Sequence, residues 1–109
     1  MTEQELKEVK EANQGQSLSK VDLEDNGESY EFVVVAPSSA QYKRWQEGSN
    51  ILKGNAVQAQ TILVFDCVKW PNKAVLGSMF NAKPGLLASV CNELLGLAGV
   101  NATAVVTKL

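Results

Sequence analysis

The chain has 109 residues, a hydrophobic fraction of 45%, a charged fraction of 20% and a formal net charge of −2, which fits one folded domain above the size range that usually needs disulfides or metals. It contains no histidine, so the commonest general base and the commonest transition-metal ligand are missing from its chemistry. Only Lys43-Arg44 form an adjacent basic pair, which argues against nucleic-acid binding, where clustered cations must accompany groove-reading or stacking elements.

Residues 3–12 (EQELKEVKEA) are good helix formers, but only Leu6, Val9 and Ala12 are placed to face a core, so the helix is expected to be short and marginal. Through Glu31 the chain holds nine acidic side chains against three lysines; beyond it, three stand against seven basic ones. This pattern describes a solvated acidic arm, or an acidic part that folds back on the basic part or on another copy. Leu18–Glu24 and Ser29–Ala36 flank Asn26-Gly27, a strong turn signal, and the second run is rich in aromatic and β-branched residues before Pro37. A β-hairpin is predicted over 18–24 and 29–36. Such a hairpin is marginal by itself and must lay an apolar face on something else.

Ser38 or Ser39 is expected to cap a helix through about Ser49 that carries Tyr42 and Trp45 on one face. Gly48 and Gly54 place stops nearby. Asn55 can cap the next helix, AVQAQTILVFDCV, in which Ala56, Ala59, Ile62, Leu63 and Phe65 dominate. The run Thr61–Phe65 also reads as a buried strand, but length and the preceding alanines favour helix. Trp70-Pro71-Asn72 breaks the chain. A short helix over Lys73–Phe80 supplies Leu76, Met79 and Phe80. Pro84 opens a last helix with the stripe Leu87, Val90, Cys91, Leu94 and Leu95, closed by Gly99. Asn101–Leu109 reads as an unstructured tail or an apolar segment that finds a partner. The predicted class is α+β, a hairpin packed on three or four short helices. It comprises an acidic arm over 1–17, one domain over 18–100 and a tail over 101–109.

Bond-making chemistry is hard to find in these residues. Cys67 and Cys91 lack CxxC spacing and read as small buried hydrophobes. No calcium loop, phosphate-cradling GxxxxGK[ST] loop or GxSxG elbow occurs. Asp66 lies in apolar sequence without a second group to work with, which suits the polar edge of a helix. No catalytic residue, metal ligand or cofactor site is therefore expected. An acidic N-terminus without an apolar h-region and the lack of a ~20-residue apolar stretch argue for a cytoplasmic protein with no membrane span. Tyr42, Trp45, Trp70, Met79 and Phe80 are the candidate partner-binding residues, since aromatics and methionine are enriched in interface cores. The competing reading makes them the domain's own core, and the exposure of the two tryptophans discriminates.

From Phe32 onward the order of features resembles a known family. A strand ends in proline before a capped helix with a tyrosine (VVVAPSSAQYKRW), then comes an aliphatic–aspartate–cysteine segment (AQTILVFDCVKWP), then a Pro-Gly-opened apolar helix (FNAKPGLLASVCNELLGLAG). This resembles the tail assembly chaperones of long-tailed bacteriophages over about residues 30–99. The resemblance implies a non-enzymatic protein of the host cytoplasm that binds the tape-measure protein and keeps it soluble while tail-tube subunits assemble. Tail-tube protein and further copies of the chain are additional partners to consider. A structural virion protein of the tail tube or head–tail connector, and a small ligand-binding or regulatory domain, are the alternatives carried forward.

Overall fold

A computed structural model describes residues 1–49, 55–100 and 102–109. The expected stop at Gly54 lies outside the described residues. The elements in chain order are α1 (Glu3–Ala12), β1 (Leu18–Asp25), β2 (Glu28–Val35), α2 (Ser39–Gly48), α3 (Ala56–Cys67), β3 (Val68–Trp70), α4 (Lys73–Ala82) and α5 (Gly85–Leu97). The architecture is α+β, as read from the sequence.

The hairpin forms because Asn26 and Gly27 both adopt positive φ, 52° and 80°, the geometry a two-residue type I′ turn demands. Its register pairs Leu18 with Val35 and Asp25 with Glu28 without a break. Alternation along the strands then sorts the side chains. Val21, Phe32 and Val34 enter the main core with Leu63, Val64 and Cys67 of α3, Leu76 and Phe80 of α4, and Leu86, Val90, Cys91, Leu94 and Leu95 of α5.

Three features depart from the sequence reading. First, the chain turns from helix to strand at Cys67/Val68, and Val68–Trp70 pairs antiparallel with β2, giving the sheet order β1-β2-β3 with an irregularity between Val33 and Val34. Three residues carry too little period-two signal to announce a strand; the exposed side of β2 recruits them. The following Trp70–Pro71 peptide bond is cis. Second, α1 is part of the fold. Val9 is buried, and the Trp70 indole N–H donates to Glu5 Oε2 at 3.2 Å. Thr2 caps this helix through a reciprocal pair of bonds with Glu5. The Thr2 backbone N–H holds the Glu5 carboxyl below the usual carboxylate range. Third, Ala56 and Ile62 of α3 face outward while Val64 takes a buried position.

The acidic turn is tied to the helical layer by one side chain. Lys83, at the α4–α5 junction, donates to Asp25 Oδ2 (2.9 Å) and Glu28 Oε2 (3.3 Å) and lies over the Tyr30 ring, 5.4 Å from its centroid. The Tyr30 hydroxyl donates to Glu28 at 2.6 Å, and with Lys83 this holds the Glu28 carboxyl low. At the far end of α5, Gly99 (φ 97°) and Val100 donate to Gly96 and Leu95, the paired bonds of a Schellman stop.

Cys67 and Cys91 are buried and unbridged. Burial, reinforced by Asp66, pushes the Cys67 thiol up to about 11, and burial raises Cys91 as well. An unfolded chain ionises its thiols near pH ~8.5. The stability carried by the neutral thiols is thus complete below that value. It falls as pH rises toward the folded pKa, by about 1.4 kcal/mol per unit for Cys67, and Cys91 acts in the same direction. Urea midpoints at pH 8 and pH 10 are expected to show this loss, and it should disappear in Cys67→Ala/Cys91→Ala.

Candidate functional site

The five sequence-nominated residues do not converge on one patch. Tyr42 and Trp45 stack on α2, ring centroids 5.8 Å apart and 24° between planes, because three positions along a helix return to nearly the same face. Trp70 and Met79 line a different hollow between α1, β2 and α4, together with Val9, Tyr30 and Val75. Phe80 is core: it is 8% exposed and meets Phe65 edge-on at 6.0 Å. Leu76 and Phe80, four residues apart, form the buried stripe of α4, which leaves Met79 at the boundary. Both tryptophans are half-buried, so each serves the fold and keeps a surface.

The better-built site is the cleft between α2 and α3, with a volume of about 450 Å³. Trp45 forms one wall, Ala59 and Leu63 lie opposite, and Ile62 forms a lip. Local chemistry sets this geometry. Ser38 caps α2 through bonds exchanged with Gln41 (3.1 and 2.9 Å), and Asn55 caps α3 by accepting from Gln58 N–H at 3.1 Å. Gly48, the last residue of α2, lets the helices approach: a Cβ there would stand 3.0 Å from the Ala59 Cβ.

Electrostatics at the mouth are mild. Arg44 and Asp66 face each other at 3.6 Å with both side chains substantially exposed, a pair worth little in water. Beneath them, the Gln41 side-chain oxygen accepts from the Cys67 thiol at 3.6 Å. The Trp45 indole N–H is enclosed and hydrogen-bonded to nothing among the described residues, and such an orphaned donor costs about 1–3 kcal/mol.

Sequence reasoning missed Ile62, Ala59 and Gly48 as site residues. The signal was present in α3, which carries apolar side chains on every face, a pattern of helices buried all round. Yet Val57 is 65% and Ile62 40% exposed. Among the described residues, no group of three His, Cys, Asp or Glu side chains is placed to hold a metal ion, and no helix is long and apolar enough to cross a membrane.

Comparison with known proteins gives a family and a fold. No curated protein matches the chain. A solved structure of an uncharacterised protein, rbstp2171, from Bacillus stearothermophilus is similar, with a TM-score of 0.76 at 18% identity over 94% of this chain and 99% of that one. A family model described as a domain of unknown function, DUF6848, matches residues 12–108. The match begins at the last residue of α1 and takes in the sheet, both walls of the cleft and α5, and the chain belongs to that family.

Proposed function

We propose that the protein is a non-enzymatic tail assembly chaperone of a long-tailed phage, which holds an apolar helical stretch of the tape-measure protein in the α2–α3 cleft. The observation that carries this reading is the cleft itself, with apolar side chains on both walls and an α3 face that no element covers among the described residues. Helix-in-groove binding needs an apolar trough with polar groups at its edges. Trp45, Ala59, Ile62 and Leu63 provide the trough, and Arg44, Asp66 and Gln58 the edges. An acceptor from the client that reached the Trp45 N–H would offset the cost of leaving it unpaired. Several weak contacts repeated along a long client hold by avidity and still permit release.

The test is co-expression with the tape-measure protein. Wild type is expected to keep it in the soluble fraction. Trp45→Ala and Ile62→Asp are expected to send most of it to the pellet, with the chaperone's own melting curve checked for each variant. Unchanged client solubility with both variants would remove the cleft from the reading. Purified phage particles give the second arm, because a chaperone should be missing from them whereas a tube or connector protein would be present stoichiometrically.

A further inference from the structure

Residues 102–109 leave α5 without joining the domain. Val105 and Val106 are 93% and 92% exposed. The Ala102 N–H bonds back to Gly99 at 3.1 Å, and no residue from 103 to 109 takes part in a backbone hydrogen bond among the described residues. The Cα radius of gyration, 15.4 Å, exceeds the roughly 13 Å of a compact domain of this length. The segment ATAVVTKL is nonetheless strand-like: it is threonine- and valine-rich and free of proline and glycine.

The sheet offers a matching vacancy. Among the described residues β1 is an edge strand of eight residues, and its pairing with β2 runs without a bulge. In an antiparallel pair every second residue turns its N–H and C=O away from the partner. On β1 those outward groups have no backbone partner among the described residues. Unpaired edges of this kind are templates for another strand. The charge balance agrees: β1 carries Asp22 and Glu24 against Lys20, with Asp25 already held by Lys83, and the only charged side chain of the tail is Lys108.

We infer that the tail adds as a fourth strand to the β1 edge of a second copy. Main-chain hydrogen bonds would give the affinity, and Val105, Val106 and Leu109 would find apolar neighbours. Donor tail and acceptor edge are different surfaces, so the contact is heterologous and propagates copy to copy, as a ring or an open chain. This inference is independent of client binding, and its test uses the chain alone.

Light scattering of the full chain across a concentration series is expected to show mass rising in steps of one chain. In parallel, amide exchange at alternate β1 residues should slow about tenfold at the associating concentrations. Val105→Pro/Val106→Pro removes two donors from a segment outside the packed domain. It should leave the melting curve unchanged and abolish both effects. A single-chain mass at every concentration would overturn the inference, as would association that survives the prolines. So would β1 protection that is lost with the prolines but independent of concentration, which would mean that the tail folds back on its own strand.

Discussion

Replacing Phe32 with alanine is expected to lower folding stability by about 3–5 kcal/mol, the usual cost of deleting a buried aromatic ring from a core that collapses only partly around the hole. Phe32 is wholly buried on the central strand, directly across from Val21, in a cluster that draws on β1, β2, α3, α4 and α5. No single element can move to fill the space. Domains of this size hold about 5–15 kcal/mol in total, so the variant should sit near the edge of folding. At about 4–8 °C per kcal/mol, its thermal midpoint should drop by tens of degrees in a circular dichroism melt. Val57→Ala, at an exposed position of α3, is the matched control and should stay within about 0.5 kcal/mol of wild type.

Gly48→Leu is expected to destabilise the protein by about 1–3 kcal/mol, by overpacking rather than by cavity formation. Even the first added carbon would stand 3.0 Å from the Ala59 Cβ, and the rest of a leucine has to force α2 and α3 apart. The cleft would widen without losing Trp45, Ile62 or either charged group, so client solubility should fall although every lining side chain remains. A double-mutant cycle isolates the cause. Ala59→Gly alone costs helix propensity, about 1 kcal/mol, yet combined with Gly48→Leu it should restore part of the loss. Strict additivity would mean that these two positions do not set the interhelix distance.

Local chemistry made much of the fold legible. Asn26-Gly27 fixed the hairpin and its register, because few residue pairs accept two successive positive φ angles. Ser38 and Asn55 marked helix starts, Gly99 marked the last stop, and the α5 stripe of Val90, Cys91, Leu94 and Leu95 was read directly from its spacing. The unreadable parts depend on tertiary partners. Val68–Trp70 is a strand because β2 has a free side, and α1 holds its place through Val9 and a Glu5–Trp70 bond spanning 65 positions. The candidate site was legible in kind and only partly in position. Aromatic character nominated Trp45, which lines the cleft, as a partner-binding residue, but it also nominated Phe80, whose helical phase with Leu76 commits it to the interior. Ala59 and Gly48 matter by being small, a role that shows only when the facing helix is in place.

The order of elements along the chain also bears on its synthesis. The hairpin is complete at Val35, but the side of β2 carrying Phe32 and Val34 is covered by segments that end only at Leu97. At about 5–20 residues per second, the ribosome needs roughly 3–12 s to supply them, and a lone hairpin is marginal in water. For most of that interval the nascent polypeptide trails an uncovered greasy strand, so folding of the domain waits on the synthesis of its last helix.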